Sequence, residues 1–241
     1  MSSWRTISEN PVDPRVHRHL WQQTRDVCQP IRGRFDDFLR AAVAGNVVLD
    51  IGCAEHDQSH WDRPDWQHAK LVRWSKQTIG VDVLPSAVAA LCARGYDVHC
   101  MDATSDADIG IRVDRVVLGD VLEHVSDPVA LLRFSARHLK PDGRILARTP
   151  NPFWWRYWMR AVTDGIMVEN GEHVGWITPC NALELAERAG LKLKSYHPIT
   201  AAKAAWNPIH ATLRFFSGRE PEVFAHSAVY VFAHRSNISH V

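Results

Sequence analysis

The sequence predicts an α/β fold in which a mostly parallel sheet carries helices on both faces. Five short apolar segments of the 241-residue chain read as buried strands, and segments with helical spacing separate them. Short strands that alternate with helices form a parallel sheet, because each crossover helix packs back onto the sheet. The strand segments are NVVLDIG (46–52), QTIGVDV (77–83), YDVHCMD (96–102), DRVVLGD (114–120) and GRILART (143–149).

Helical patterns precede this core and connect its strands. Over residues 15–44 the apolar spacing is helical, and Pro30 with Gly33 divides the stretch into two helices. Residues 85–95 and 127–143 predict amphipathic helices of the core. Each of these is opened by proline and stopped by glycine.

The regular alternation stops after Pro152, where a cap is expected. An aromatic stretch leads to a helix at 179–190 and a strand at 191–198, and a second irregular stretch precedes a last strand at 227–235. We therefore expect one domain. Its parts are a helical extension (1–44), a cofactor-binding core (45–152), and cap insertions with the final strands (153–241).

Composition and charge narrow the class of partner. The formal net charge is +1 with mixed signs along the chain, which gives no reason to expect nucleic acid or an anionic membrane as a partner. No long apolar run or signal-peptide pattern occurs, so we expect a cytoplasmic protein without stable membrane insertion, and a homodimer is left open. The five cysteines are scattered without a CxxC pair, which argues against a disulfide framework or a structural zinc site.

Aspartates stand at the carboxyl ends of four predicted strands, where open parallel sheets bind their ligands. Asp82 could accept hydrogen bonds from both hydroxyls of a ribose. Asp102, followed by Ala103, could accept one from an adenine amine. Asp50 and Gly52 could let the backbone approach the cationic end of a ligand, and Asp120 is the fourth acid of the series.

The loop after the first strand separates two nucleotide-like cofactors. A dinucleotide needs G-x-G-x-x-G so that the backbone can close on its diphosphate. Here the loop reads GCAEHD from Gly52, the later glycines are missing, and Glu55 would face the diphosphate unfavourably. S-adenosylmethionine has no phosphate. The loop therefore favours S-adenosylmethionine over the cofactor of an NAD-dependent oxidoreductase.

As an ordered set, VVLDIGCAEHD, TIGVDVLPSAVAAL, YDVHCMDAT, DRVVLGDVLEHVSDPVALL and LKPDGRILARTPNP resemble the motifs of class I S-adenosylmethionine-dependent methyltransferases. The match spans about residues 46–152. EHVGWITPCNALELAERAGL is similar to a later helix of the branch that includes ubiquinone-pathway and sugar or glycan O-methyltransferases. The resemblance implies a Rossmann-like sheet of seven strands with an antiparallel last strand.

The resemblance also implies the residues that hold S-adenosylmethionine. These are Asp50, Gly52 and Cys53 at the methionine end, Asp82 and Val83 at the ribose, Asp102 and Ala103 at the adenine, and Gly119, Asp120 and Val121 under the sulfonium. Residues 56–74 are an insertion relative to the family. Its His56, His60, Asp62 and His68 lack a closed ligand spacing, so we interpret them as the polar face of an extra loop and helix rather than a metal cluster.

The catalytic candidates follow the fourth strand. His124 is a natural base near neutral pH, with Glu123 beside it and His173 as a second candidate. Related ubiquinone-pathway enzymes carry an acid-x-x-Glu-His group associated with a divalent metal. Here the first acid is the shorter Asp120, and no metal is predicted. The alternative is that Glu123 and His124 only brace their loop.

The aromatic residues of the cap are the acceptor candidates: Trp154, Trp155, Trp158 and Trp176. They could form a wall against a sugar or flat ring. Two alternatives are a membrane-surface helix with Arg156 and Arg160, and a core internal to the cap. The sequence thus predicts a methyltransferase that acts on oxygen of a small molecule or glycan. The other hypotheses are N- or C-methylation of a secondary metabolite, a catalytically silent cofactor-binding module, and the disfavoured oxidoreductase.

Overall fold

A computed structural model describes residues 3–31, 33–55, 57–168, 170–200, 208–217 and 221–235. The strands are β1 (Val47–Ile51), β2 (Gln77–Asp82), β3 (Val98–Cys100), β4 (Val113–Gly119), β5 (Leu139–Pro150), β6 (Leu191–Thr200) and β7 (Ala225–His234). They form one sheet of seven strands in the order β3-β2-β1-β4-β5-β7-β6. Only β7 is antiparallel, to both β5 and β6, so the predicted Rossmann-like sheet with an antiparallel last strand is confirmed.

Helices cover both faces of the sheet. They are α1 (Pro14–Val27), α2 (Phe35–Val43), α3 (Gln67–Trp74), α4 (Pro85–Ala93), α5 (Pro128–Arg137), α6 (Trp155–Thr163), α7 (Pro179–Arg188) and α8 (Pro208–Ser217). Apolar residues of α1, α5 and α7 share one core with the sheet, and those of α2 and α3 share another. None of the helices in the described ranges is long and apolar enough to cross a membrane.

Helix starts follow the local sequence. Asp13 and Asp127 accept hydrogen bonds from backbone N–H groups in the first turns of α1 and α5, and proline is the first residue of both helices. At α7, Thr178 and Asn181 form a reciprocal capping box. Local side-chain caps and first-position prolines therefore define where these helices begin.

One predicted boundary was wrong. The helix expected over 127–143 ends at Arg137, and β5 begins at Leu139. Pro141 cannot continue a helix because it lacks an N–H donor. The chain instead turns at the buried His138, and Leu139 pairs with Val113 of β4.

Candidate functional site

A cleft opens at the carboxyl ends of β1 and β2, beside α5. Its volume is about 370 Å³, and its wall combines aliphatic side chains with carboxylates. This is the edge at which open parallel sheets bind ligands. Of the predicted cofactor residues, those that line the cleft are Gly52, Asp82, Val83, Asp102, Ala103 and Val121.

Asp82 is buried at the end of β2 and is oriented by two backbone groups. Its Oδ2 accepts a hydrogen bond from the Ala54 N–H at 2.9 Å, and its Oδ1 accepts one from the Leu84 N–H at 3.1 Å. An ionised carboxylate can accept about four hydrogen bonds. The side chain therefore keeps capacity for the two hydroxyls of a ribose while its orientation is held.

Asp102 is oriented by Thr104. The hydroxyl and the backbone N–H of Thr104 both donate to Oδ1 of Asp102, at 2.7 and 2.8 Å. These hydrogen bonds lower the pKa of Asp102, so its carboxyl is ionised near neutral pH. Because both bonds go to Oδ1, Oδ2 is the oxygen that fits a hydrogen bond from an amine in the cleft.

Gly52 is required by the close approach of two loops. Its φ is +76°, a conformation that favours glycine, and a Cβ at this position would lie 2.7 Å from Cγ2 of Val121. Both residues line the cleft. A side chain at position 52 would therefore displace Val121 from the cleft wall.

Tryptophans of the insertion (residues 56–74) hold the loop that follows β1, which lacks the later glycines of a dinucleotide-binding loop. The indole N–H of Trp61 donates to the Ala54 carbonyl, and that of Trp66 donates to the Cys53 carbonyl at 3.2 Å. Both tryptophans are buried, and they pack with Cys53 and Ala54 in one apolar cluster. Side chains of the insertion thus fix a backbone that glycines shape in other nucleotide-binding loops.

Asp50 is directed toward α3 rather than into the cleft wall. Its side chain is 1% exposed, and its Oδ2 lies 2.8 Å from Nδ1 of His68, which is equally buried. Gln67 donates to the other oxygen at 3.5 Å. Asp50 therefore anchors α3 under the end of β1, and its predicted contact with the methionine end stays a prediction.

Cys53 and Gly119 also lie outside the lining of the cleft. Burial raises the pKa of the Cys53 thiol, with the charges of Asp50 and Asp82 adding to the effect. Cys53 is therefore an apolar packing residue. At Gly119 a Cβ would overlap the side-chain amide of Gln67, so α3 packs directly on the end of β4.

The other histidines and acids of the insertion pair separately. His60 Nδ1 lies 2.8 Å from Glu55, Asp62 is paired with Arg94, and His68 is paired with Asp50. His56 lies outside the described residues. Each of these three residues thus has a different partner, and His68 is buried with Asp50, so its predicted place on the polar face of the insertion was wrong.

Ionisable side chains lie close together after the end of β4. Asp120 has a positive φ of 55°, and its carboxylate pairs with Arg148 at the end of β5. Three residues on, Glu123 is 1% exposed, and neither of its carboxylate oxygens has a hydrogen-bond partner among the described residues. Burial, with the negative charge of Asp120 next, raises the pKa of Glu123 to about 8. Glu123 therefore holds a proton near neutral pH.

Glu123, His124 and His173 form a compact carboxylate–imidazole cluster. Their ligand atoms lie within 4.8 Å of one another, and the rings of His124 and His173 meet edge-on at 4.8 Å. Nδ1 of His124 lies 3.8 Å from the carboxylate of Glu172. Because a carboxyl group and two imidazoles can each accept a proton or ligate a metal, the cluster can transfer protons or hold a divalent cation.

Aromatic rings continue from this cluster as an arc across the end of the sheet. Successive ring centroids lie 5.9, 5.5, 5.3 and 6.3 Å apart, each pair edge-on. In order the arc runs from His173 to Trp176, Tyr157, Trp154 and His226. It brings Trp154 and Trp176 together, whereas Trp155 and Trp158 lie off the arc and are exposed.

Sequence reasoning missed the polar residues on β5 and β7 that face this region. Thr149 Oγ1 adjoins the Glu123 carboxyl, and Nδ1 of His226 is buried without a hydrogen-bond partner in the described part of the chain. Burial, followed by the charge of Arg148, lowers the pKa of His226. The strand-end rule extended to β5, together with the antiparallel pairing that brings the start of β7 beside it, was the signal that could have found them.

Comparison with known proteins agrees with this geometry. A sequence family described as "Methyltransferase domain" matches residues 20–196. A ubiquinone biosynthesis O-methyltransferase of Cereibacter sphaeroides is 30% identical over 197 residues, which covers 76% of this chain and 74% of that protein.

Solved structures share the fold. The CcbJ methyltransferase of Streptomyces caelestis matches with a TM-score of 0.55 at 13% identity, over 83% of this chain and 88% of that one. A methyltransferase of Mesorhizobium loti matches with a TM-score of 0.52 at 16% identity, over 81% and 95%. Given the sheet, the cleft and the matched family, the chain belongs to the class I S-adenosylmethionine-dependent methyltransferases, with S-adenosylmethionine as its cofactor.

Proposed function

We propose that this enzyme methylates a hydroxyl oxygen of a small-molecule or glycan acceptor, with the carboxylate–imidazole cluster as its proton-transfer group. The observation that carries the proposal is that the cluster begins two residues after Val121, which lines the cofactor cleft. The O-methyltransferase relative supports oxygen as the acceptor atom. Bound S-adenosylmethionine supplies a methyl group on a cationic sulfur, so the protein must add alignment and proton removal.

The cleft residues hold and orient the cofactor. Asp82 accepts from the ribose, Oδ2 of Asp102 accepts from the adenine amine, and Val121 forms the floor that Gly52 leaves room for. Asp50, Cys53, Gly119 and Asp120 act indirectly, by fixing the loop and the ends of β1 and β4. The four backbone and side-chain bonds to Asp82 and Asp102 support this assignment.

His124 is the proposed general base. Its ring is partly exposed, in contact with His173 and near Glu172, so a proton taken from an acceptor hydroxyl has neighbours that share it. Glu123 keeps its own proton near neutral pH and is a hydrogen-bond donor in that form. A divalent cation held by the same three residues would act as a Lewis acid on the acceptor oxygen.

The aromatic arc is the proposed acceptor wall. Trp154, Tyr157 and Trp176 offer ring surfaces, while His226 offers a buried ring nitrogen that lacks a partner among the described residues. An acceptor ring that carries hydroxyl groups could pack against the aromatic rings and form a hydrogen bond with the buried polar atom. Trp155 and Trp158 face solvent and are assigned no contact with the acceptor.

The first test is ligand binding. S-adenosylhomocysteine should raise the melting temperature and NAD should not, because only a ligand of the native state stabilises it. The reverse result would overturn the cofactor assignment.

The second test is turnover on hydroxyl-bearing phenols and glycans with methyl-labelled S-adenosylmethionine. We expect an O-methyl ether by mass spectrometry, and a loss of about 10²–10⁴-fold in His124→Asn. His99→Asn, which changes an exposed imidazole at β3, is the matched control. Methyl groups found on nitrogen or carbon would refute oxygen as the acceptor atom. Cofactor binding without turnover on any acceptor would indicate a silent binding module.

A further inference from the structure

Helix α6 presents an apolar stripe to solvent. Tyr157 is its buried residue, whereas Trp158 is 61% and Val162 is 79% exposed. Positions 155, 158, 159 and 162 follow helical spacing and are all exposed, so they form one continuous stripe. The next segment extends it, since Ile166 is 67% exposed with Met167 and Val168 exposed beside it.

Helix α8 repeats this arrangement at the same edge of the sheet. Ile209, Leu213 and Phe216 are exposed at helical spacing, while His210 is buried against Phe224 with ring centroids 5.0 Å apart. Phe224 directly precedes β7, and α6 begins beside the first residues of β7 through the contact of Trp154 with His226. We call residues 155–168 and 209–216 together the cap face.

The charge of the cap face differs from that of the whole chain. Arg156 and Arg160 lie in α6 and Arg214 lies in α8, and Asp164, directly after α6, is the one acidic residue of the cap face, which therefore has a formal net charge of +2. The guanidinium of Arg156 stacks over the rings of Trp154 and Trp155 at 5.3 and 5.7 Å. The net charge of +1, which gave no reason to expect an anionic membrane, therefore conceals a local basic and apolar surface.

We propose that the cap face docks on the surface of a bilayer that contains anionic lipids. Monomeric soluble proteins rarely expose contiguous apolar patches of this kind, and helices that combine tryptophan, aliphatic side chains and arginine lie in the membrane interface. A twofold contact with a second copy is disfavoured, because it would place two copies of the same basic face against each other.

The docking is peripheral and goes beyond the proposed methyl transfer. Helix α6 has nine residues and α8 has ten, about half of what a span of the hydrocarbon core requires. The apolar stripes would enter the interface and the arginines would meet lipid phosphates. Trp154 anchors α6 to the arc, so docking holds the aromatic arc close to the bilayer.

The test is sedimentation of the full chain with vesicles of phosphatidylcholine alone and of phosphatidylcholine mixed with phosphatidylglycerol. We expect binding to the mixed vesicles, weakened by salt. Val162→Glu with Ile166→Glu should abolish it, and Trp21→Glu, at an exposed position of α1, should not. Arg156→Ala with Arg160→Ala should weaken binding about 30-fold. Arg18→Ala with Arg73→Ala removes the same charge elsewhere and is the matched control.

Binding of S-adenosylhomocysteine and the melting temperature, both measured without lipid, report folding separately. If Val162→Glu with Ile166→Glu unfolds the protein, the vesicle binding of Arg156→Ala with Arg160→Ala decides whether the proposal holds. Failure to bind mixed vesicles, or equal binding to both kinds, would overturn the proposal. A dimer in light scattering that the glutamate pair converts to monomer, without vesicle binding, would show that the cap face is a contact between copies. Neither result bears on methyl transfer.

Discussion

Replacing Asp82 with alanine removes the carboxylate that we propose accepts hydrogen bonds from the ribose. Each hydrogen bond to an ionised acceptor contributes about 1.5–3 kcal/mol, and the free carboxylate is partly hydrated in the cleft. We therefore expect a net loss of about 2–3 kcal/mol in affinity for S-adenosylhomocysteine, which raises Kd about 30- to 150-fold.

The same substitution should also lower the free energy of unfolding. Ala54 is fully buried, and its N–H loses its partner when the carboxylate is removed. A buried donor left unpaired costs about 1–3 kcal/mol. The Leu84 N–H lies in a more exposed turn and can donate a hydrogen bond to water instead.

Calorimetry with S-adenosylhomocysteine and urea unfolding separate the two effects. Asp82→Asn keeps the shape and one acceptor oxygen, so its affinity should fall between those of the parent and Asp82→Ala. Asp106→Ala, which removes an exposed carboxylate, controls for charge. If the Kd of folded Asp82→Ala stays within about threefold of the parent, far below the loss of two such bonds, the ribose assignment is refuted.

Four further outcomes are expected. Because burial raises the pKa of Glu123 to about 8 in the folded chain from 4.5, the free energy of unfolding should fall as pH rises through that interval. In EDTA, Glu123→Gln should flatten this dependence; a parallel slope in the variant would exclude Glu123 as its source. Methyl transfer should survive EDTA, and a loss restored by Mg²⁺ or Mn²⁺ would instead assign the carboxylate–imidazole cluster to a metal. Trp66→Phe should cost about 1 kcal/mol of unfolding free energy and weaken cofactor binding, because the Cys53 carbonyl loses its donor; calorimetry that shows unchanged affinity would contradict the role of the insertion. Trp154→Ala should impair turnover at constant cofactor affinity while Trp158→Ala does not, and the opposite ranking in kinetic assays would remove the arc as the acceptor wall.

The sequence by itself determined the sheet and the edge of the sheet at which the cleft opens. Strand and helix periods are local properties, and the ends of parallel strands meet at one edge whatever the connecting loops do. Asp82, Asp102 and Gly52 could therefore be placed together from chain order alone. The glycines missing after Gly52 indicated a cofactor without phosphate, and this too could be read from the residues of one loop.

Only the tertiary structure decided what surrounds that cleft. The pairing of His68 with Asp50 and the support of the loop by Trp66 join segments whose distance no periodicity encodes. The aromatic arc closes because β7 returns antiparallel to β5 and brings His226 beside Trp154. The four cap tryptophans look alike in sequence, and only packing decides that Trp154 and Trp176 are partly buried in the arc while Trp155 and Trp158 are exposed on α6.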